Sequence, residues 1–294
     1  MSFLAITHTV VFAAEPMQLV ILGTGTPNAD PERSGPALAI IKNEKSYIVD
    51  TGAGIVRRAA AASIKHNLNS LKASNLQTAF LTHLHSDHTV GLADIILSPW
   101  VLERKQPLQL FGPIGTQKMT TNIHQAYEQD INMRMGGLEP ANPDGYKVNV
   151  TEILKPGIVL ENADIKVEVI SVAHGSWKQA FGYTFSDGDR KIVISGDAKP
   201  SPEIVEAAKG ADILVHEVYS IQGFKKREKN WQTYHASFHT STIELAEIAK
   251  QAKPKLLVLY HQLYWGFTDE DLIKEIKDAG YEGEVISASD LDLY

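Results

Sequence analysis

The chain has 294 residues, of which 28 are Lys or Arg and 35 are Asp or Glu, so its formal net charge is −7. Hydrophobic residues make up 44% and charged residues 21%, which is typical of a folded globular protein and excludes a disordered chain. The acidic balance argues against a non-specific nucleic-acid binder. The absence of Cys excludes disulfides, Cys-based zinc sites and thiol nucleophiles.

The first 14 residues, MSFLAITHTVVFAA, are mostly apolar and end in two alanines. This pattern is that of the end of a secretory signal peptide, which favours a periplasmic or secreted protein. The first basic residue is Arg33, so the positive region that opens such peptides is missing. An ordinary first strand in a cytoplasmic protein is therefore the alternative. No apolar run reaches the roughly 18 residues of a transmembrane helix, so no membrane partner is expected.

Strands and helices alternate through the first half of the chain. Short apolar runs predict strands over 17–25, 76–84 and 108–113 and a hairpin over 37–52. Alanine-rich or helically spaced apolar residues predict helices over 54–64, 91–103 and 119–135.

From Lys147 the pattern becomes richer in β-structure. Apolar runs predict strands within 146–154, 157–172, 182–197, 213–219, 255–261 and 283–293. Helical patterns cover 202–209, 240–252 and 269–280. No flexible linker separates the two halves, so residues 17–294 are predicted to form a single domain. Two sheets packed face to face with helices outside would bury these runs.

The string THLHSDH (82–88) directly follows a predicted strand and places three imidazoles and a carboxylate within six residues. Imidazole nitrogens and carboxylate oxygens are ligands for Zn²⁺ and similar cations. Where a strand breaks into a turn, residues two apart can converge on one metal while the next pair points to a second. Four polar side chains on a surface loop are the alternative. Because the chain has only 11 His, three in six positions favour a metal site.

His-x-His-x-Asp-His is the signature of the metallo-β-lactamase superfamily, which the chain resembles over roughly residues 17–265. The family pattern continues with an isolated His, an Asp at a strand end and a last His at a later strand end. His174, Asp197 and His261 occur here in that order. The resemblance implies an α/β fold, a four-layer αββα sandwich of two mixed sheets with helices outside.

Within the superfamily the chain is similar to the ribonuclease Z and arylsulfatase branch. Three strings carry this similarity: LGTGTP (22–27), HE (216–217) and HTS (239–241). A dinucleotide-binding loop is excluded at the first, since the third Gly is missing and Pro27 precludes the helix. The resemblance implies a proton relay in which Glu217 orients His239. A solvated helix N-terminus is the alternative for His239.

The resemblance also implies two divalent metal ions that share and activate a water molecule, with Asp87 orienting it. Zn²⁺ suits this His and Asp ligand set best, and Mn²⁺ or Fe²⁺ would fit its oxygen-bearing half. The implied ligands are His83, His85 and His174 for one ion, Asp87, His88 and His261 for the other, and Asp197 between them. The catalytic residues expected are Asp87, His239 and Glu217.

Three features speak against a ribonuclease Z that processes tRNA. Only 22 residues separate His174 from Asp197, which leaves no room for the basic arm with which the family's bacterial enzymes grip tRNA. The net charge of −7 supplies no compensating basic surface. The family's Arg after the last His is absent, because QLYW (262–265) follows His261.

Residues 220–238 connect two strings of the candidate site and hold the densest basic run of the chain, interleaved with aromatic residues. A cationic, aromatic lid over an anionic ester is expected there, with a solvated charged loop as the alternative. The substrate-binding residues expected are Lys225, Lys226, Arg227, Trp231 and Tyr264.

These features favour a dinuclear zinc-dependent hydrolase of small anionic esters, similar to arylsulfatases, that acts on aryl sulfates or phosphates. A phosphodiesterase or endoribonuclease of the ribonuclease Z type is the alternative. A further alternative is another hydrolase of the same fold, such as a lactonase, or a relative that binds metal without catalysis. A small ester is the partner expected, and tRNA is not. Whether the protein forms a homodimer stays open.

Overall fold

The computed structural model describes residues 16–294, so the signal-peptide hypothesis for residues 1–14 lies outside the described residues. The strands are β1 (Gln18–Gly23), β2 (Ala37–Lys42), β3 (Lys45–Val49), β4 (Thr78–Phe80), β5 (Leu108–Gly112), β6 (Val148–Glu152), β7 (Gly157–Glu161), β8 (Lys166–Val172), β9 (Ala180–Ser186), β10 (Lys191–Ile194), β11 (Ile213–Tyr219), β12 (Leu256–Leu263) and β13 (Val285–Ser287). The α-helices are α1 (Ile55–His66), α2 (Ser86–Thr89), α3 (Leu92–Val101), α4 (Thr116–Ala126), α5 (Glu128–Gly136), α6 (Pro202–Ala208), α7 (Ile221–Lys225), α8 (Lys229–Phe238), α9 (Thr242–Ala252) and α10 (Asp269–Asp278). Across residues 16–294, no helix combines the length and the apolar character that a membrane span requires.

The strands form two mixed sheets. One has the order β1-β2-β3-β4-β5-β6, with antiparallel pairs from β1 to β3 and parallel pairs from β3 to β6. The other has the order β13-β12-β11-β10-β9-β8-β7, parallel from β13 to β10 and antiparallel from β10 to β7. Parallel neighbours bring several strand ends to the same edge of each sheet, where loop residues can converge.

The two sheets pack face to face through an aromatic core. Phe80 of β4 stacks on Phe111 of β5 at 4.8 Å between ring centres and meets Phe185 of β9 edge-on at 5.6 Å. A second apolar cluster lies between the first sheet and helices α1 and α3, and a third between the second sheet and helices α6, α9 and α10. This arrangement confirms the predicted αββα sandwich of two mixed sheets.

Three predicted elements differ from the structure. The strand predicted over 76–84 ends at Phe80, because the Thr82 amide turns to the carboxylate of Asp50, 2.8 Å away. The helix predicted over 119–135 is two helices that meet at Tyr127, and of the second only Ile131 is buried. The strand predicted over 283–293 ends at Ser287, since the chain then crosses to pair with β1, where the Leu291 amide donates to the Ile21 carbonyl.

Arg104 is fully buried behind α3, and its guanidinium donates only to backbone carbonyls. The acceptors are Leu76, Ile95, Ile96 and Gly145, at 2.7–3.2 Å. Pro99 lies inside α3 and has no N–H, so it cannot donate the usual helical hydrogen bond to the Ile95 carbonyl four residues earlier. Arg104 donates to that carbonyl instead. Burial lowers the pKa of Arg104 to about 10. The buried charge of Arg104 is therefore stabilised by backbone carbonyl groups and not by a carboxylate.

Candidate metal centre

The seven predicted metal ligands come together at one edge of the sandwich. His83, His174 and Asp197 each lie two or three residues beyond the end of a strand, β4, β8 and β10 respectively. His261 lies within β12. The remaining three lie at α2, where His85 directly precedes the helix and Asp87 and His88 belong to its first turn. The turn after β4 thus presents the string of three His and one Asp to loops from the facing sheet.

Three histidines form the first half of the cluster. Nε2 of His83 is 2.9 Å from Nδ1 of His85, which is 3.1 Å from Nε2 of His174. The outer nitrogens have partners of their own: Nδ1 of His174 donates to the Phe238 carbonyl at 2.8 Å, and the indole N–H of Trp177 donates to Nε2 of His85 at 2.7 Å. Such outer contacts orient imidazoles around a shared ligand.

The second half of the cluster combines carboxylates with imidazoles. Oδ2 of Asp87 is 3.5 Å from Nε2 of His88 and 3.3 Å from Nε2 of His261. Oδ2 of Asp197 is 3.4 Å from the first of these nitrogens and 3.6 Å from the second. Asp197 also groups with His83 and His88, so its carboxylate lies between the two halves.

Buried polar atoms without a hydrogen-bond partner concentrate in this cluster. They include His88 Nε2, Asp197 Oδ1, Glu217 Oε2, His239 Nδ1 and His261 Nδ1. Burying such atoms without partners costs free energy, and most buried polar groups in folded proteins are paired. A divalent cation would supply partners to imidazole nitrogen and carboxylate oxygen alike. The residues present therefore fit a divalent metal site.

Asp50 is a residue of the site that the sequence analysis missed. Its carboxylate accepts hydrogen bonds from the amide and hydroxyl of Thr82, both at 2.8 Å, and from Nδ1 of His88 at 2.7 Å. Because a carboxylate only accepts, Nδ1 of His88 carries the proton and Nε2 is left free to bind a metal. Asp50 has a φ of 62°, a left-handed conformation that is uncommon for residues other than glycine. The string DTG (50–52) after a predicted strand was its only signal.

His261 is the extra residue of a β-bulge. Glu217 of β11 pairs with Tyr260 of β12, and the next residue, Val218, pairs with Gln262, so His261 has no partner in the register. Its φ is 47°. A bulge bends a strand and redirects a side chain. Here it places the His261 imidazole within 3.3 Å of Asp87.

Glu217 and His239, the two residues of the predicted relay, lie near each other and near Asp197. Oε1 of the fully buried Glu217 accepts from the amides of Ala198 at 3.3 Å and Thr240 at 3.1 Å, and is 3.3 Å from Nδ1 of His239. Burial, together with the charge of Asp197, raises the pKa of Glu217 well above its usual value. Burial lowers the pKa of His239 to about 4.

The charges of the cluster are strongly coupled. Burial favours neutral His88, but the carboxylates of Asp197 and Asp50 outweigh it and raise the pKa of His88 well above its usual value. Burial alone would raise the pKa of Asp197, yet His261 and His88 hold it well below the usual range. Burial lowers the pKa of His174 to about 4. Such opposed shifts within one cluster are typical of functional sites.

Residues 220–238 are not a loop: they form α7 and α8. The hydroxyl of Ser220 accepts from the Gly223 amide and caps α7. Lys225 is exposed, and Nζ of Lys226 lies 4.4 Å from the ring centre of Phe267. The guanidinium of Arg227 lies 5.5 Å from the ring centres of both Trp231 and Trp265.

Tyr264, the last predicted substrate residue, is held by its neighbours. Its hydroxyl donates to Asp269 at 2.6 Å, and its ring lies 5.0 Å from the guanidinium of Arg33. Arg33 in turn forms an ion pair with Asp269 at 3.0 Å. This triad joins the turn after β1 to the start of α10.

Comparison with known proteins places the fold and the site in a family. The family model for the Beta-lactamase superfamily domain matches residues 45–262. Ribonuclease Z of Mycobacterium sp. (strain KMS) is 30% identical over 249 residues, 84% of each chain. Ribonuclease Z of Mycobacterium marinum is 31% identical over 253 residues, 83% of this chain and 86% of the relative.

Solved structures show the same fold. The short form of human tRNase Z aligns with a TM-score of 0.69 and 21% identity, covering 95% of this chain and 98% of that one. The metallo-β-lactamase fold protein YhfI from Bacillus subtilis aligns with a TM-score of 0.69 and 17% identity, covering 95% and 100%. The relatives support the predicted metal-dependent hydrolase but give no support to an arylsulfatase. The chain belongs to the metallo-β-lactamase superfamily, in its ribonuclease Z branch.

Proposed function

We propose that this protein is a metal-dependent phosphodiesterase of the ribonuclease Z type that hydrolyses a phosphodiester bond in RNA. One observation carries the proposal: the cluster of seven His and Asp ligands, with Glu217 and His239 beside it, occurs in a chain that matches ribonucleases Z over more than four fifths of both lengths. This replaces the arylsulfatase hypothesis, which the sequence alone favoured.

tRNA is a plausible substrate, contrary to our expectation from the sequence. That expectation rested on the missing basic arm, and the 22 residues between His174 and Asp197 do contain only the β9–β10 hairpin. Ribonuclease Z relatives nevertheless match this chain over 84–86% of their own length. An RNA substrate would therefore have to be held by a surface other than such an arm.

We further propose that the cluster holds two divalent metal ions, with Zn²⁺ preferred. Seven ligands exceed what one tetrahedral site can use. The first ion would take His83, His85 and His174, the second Asp87, His88 and His261, and Asp197 would serve both. Bound divalent metals polarise a phosphoryl group and make water more acidic.

His239 and Glu217 are proposed to handle the proton of the leaving group. Oε1 of Glu217 lies 3.3 Å from Nδ1 of His239 and accepts hydrogen bonds from the amides of Ala198 and Thr240, so it is placed to orient the His239 ring. Attack of water on phosphorus releases a proton, and the leaving oxygen takes one up when the P–O bond breaks. His239 would accept the first proton as general base and deliver it to the leaving oxygen as general acid. His239→Ala is expected to lower kcat by about 10²–10⁴-fold while the metal content stays unchanged.

The decisive experiment compares three substrates with the metal-loaded enzyme: precursor tRNA, bis(p-nitrophenyl) phosphate and p-nitrophenyl sulfate. We expect cleavage of both phosphodiesters and little or no release of sulfate. Hydrolysis of the sulfate ester alone would overturn the proposal. The Asp197→Ala variant, assayed in parallel, controls for contaminating nucleases.

Export stays a prediction from residues 1–14, and it bears on the substrate. An exported enzyme would not meet cytoplasmic precursor tRNA, whereas a cytoplasmic one would. N-terminal sequencing of the protein from its native host separates these cases. A mature N-terminus near Glu15 supports export, and an intact Met1 or Ser2 in the cytosolic fraction contradicts it.

A further inference from the structure

A row of aromatic rings runs along α8 from the metal centre to the surface. The Phe238 ring lies 4.9 Å from that of His174, Tyr234 stacks on Phe238 at 4.3 Å, and Trp231 meets Tyr234 edge-on at 5.8 Å. The spacing of three and four residues puts these side chains on one face of the helix. Trp231 is 45% exposed and Tyr234 36%, so the outer end of the row is open to solvent.

The inner end of the row is fixed to the metal centre. The carbonyl of Phe238 accepts the Nδ1 proton of His174, and the Phe238 ring covers Gly175. A Cβ at Gly175 would lie 2.0 Å from that ring, and the φ of Gly175 is 52°, so only glycine fits there. The row therefore holds a fixed position relative to the candidate ligands.

A fourth ring borders the centre from the other side. Trp177 meets the His85 ring edge-on at 5.0 Å, while Phe238 lies parallel to the same ring at 6.2 Å. The Trp177 side chain is 36% exposed. The candidate ligand His85 is thus flanked by an exposed indole and by the row on α8.

Cations accompany these rings in a chain that is acidic overall. Lys178 follows Trp177, and Lys225 and Lys229 lie at the end of α7 and the start of α8; all three are exposed. Within residues 16–294, none of the three forms an ion pair. Their charges are therefore available to an anion that approaches the metal centre along α8.

We propose that Trp177, Tyr234 and Trp231 stack bases of single-stranded RNA beside the metal centre, while Lys178, Lys225 and Lys229 contact its phosphates. This inference rests on the proposed function and specifies its substrate as an unpaired RNA segment next to the cleaved bond. Stacked aromatic side chains with neighbouring cations are the general means of holding single strands, since every base has a flat face. It also explains how a chain without a basic arm could hold RNA.

The test measures binding apart from cleavage. A fluorescein-labelled 2′-O-methyl oligouridylate is titrated with the full-length, metal-loaded protein and followed by anisotropy. Trp231→Ala and Tyr234→Ala should each raise Kd about 5- to 100-fold, and Trp231→Phe should recover most of the affinity. Tyr127→Ala is the matched control, because this tyrosine is 44% exposed but lies at the junction of α4 and α5.

Salt dependence tests the lysines. For single strands the slope of log K against log salt becomes shallower by about 0.7 for each phosphate that the protein no longer neutralises. Lys178→Gln, Lys225→Gln and Lys229→Gln combined should therefore flatten the slope by about 2 if each lysine neutralises one phosphate. An unchanged slope would show that these lysines do not contact the backbone.

The outcomes separate the two proposals. Metal content should stay within about twofold in every variant, since no residue changed is a candidate ligand. If the wild type cleaves phosphodiesters but Trp231→Ala and Tyr234→Ala bind the oligonucleotide as tightly as wild type, stacking is refuted and the phosphodiesterase stands. If the wild type cleaves no phosphodiester, the proposed function fails, and oligonucleotide binding then shows whether the stacking surface exists. A wild type that does not bind the oligonucleotide overturns the inference directly.

Discussion

The region around Arg104 and the metal centre both bury charged side chains, and they solve the problem in opposite ways. Arg104 is fully buried, and backbone carbonyls accept hydrogen bonds from all three of its guanidinium nitrogens. The metal centre buries His88, Asp197 and Glu217 just as deeply but leaves a polar atom of each without a partner.

The difference separates a structural from a functional use of buried charge. A buried cation such as Arg104, whose hydrogen bonds all go to atoms of the same chain, contributes to the fold and needs no bound ion or molecule. Buried nitrogens and oxygens that face one another without partners are costly unless something else binds them. Only the second region calls for a metal, although both are equally hidden from water.

The largest effect expected comes from Asp197→Ala, which removes the ligand between the two halves of the cluster. Activity should fall by at least about 10³-fold, and the metal content of purified protein should drop with it. Elemental analysis and initial rates measure both. Asp278→Ala, which removes an exposed carboxylate of α10, is the control and should change neither. Full metal content in Asp197→Ala would remove this residue from the shared role.

Arg104→Met should act on the other region alone. It leaves the carbonyls of Leu76, Ile95, Ile96 and Gly145 buried without their donor, so the free energy of unfolding should fall by about 3 kcal/mol. Denaturant unfolding measures this. Metal content per folded molecule should not change, because Arg104 makes no contact with the cluster. A variant of wild-type stability would show that water replaces the guanidinium at little cost.

Asp50→Asn should weaken the metal centre without abolishing it. An amide can replace only part of the network, so the bonds from Thr82 and His88 would no longer both be satisfied by one charged group. Loss of such an orienting partner typically lowers metal affinity about 10- to 100-fold. Competition with a chromophoric chelator measures it. Asp164→Asn, at a hydrogen-bonded carboxylate that contacts Asn43 and Lys45, should leave metal affinity unchanged.

Tyr264→Phe should have the smallest effect. The hydroxyl that this change removes donates to Asp269, so stability should fall by about 1 kcal/mol or less. Both kcat and KM should stay within about twofold, because this hydroxyl is committed within the fold. A tenfold rise in KM for a phosphodiester would instead restore Tyr264 to the substrate-binding role expected from the sequence.

Local patterns predicted most of the strands and helices, and the family resemblance supplied the candidate ligands. The apolar runs predicted the strands at whose ends His83, His174 and Asp197 lie, and the family signature supplied their order. The segment 220–238 was harder, since its basic and aromatic residues suggested a loop while its backbone forms α7 and α8. The many exposed charges of this segment hid the helical pattern of α8, whose aromatic residues Trp231 and Tyr234 stay partly exposed to solvent.

The sequence by itself determined the alternation of elements, because this depends on patterns within a few residues. The resemblance of its motifs to a known family supplied the sandwich and the candidate ligands. Only the tertiary structure decided which side chains orient those ligands. Asp50 reaches His88 across 38 positions, Phe238 reaches His174 across 64, and the bulge at His261 exists only through pairing with β11. Contacts between residues so far apart in the chain arise from strand pairing within each sheet and from the packing of loops and helices beside it, and no local propensity encodes them.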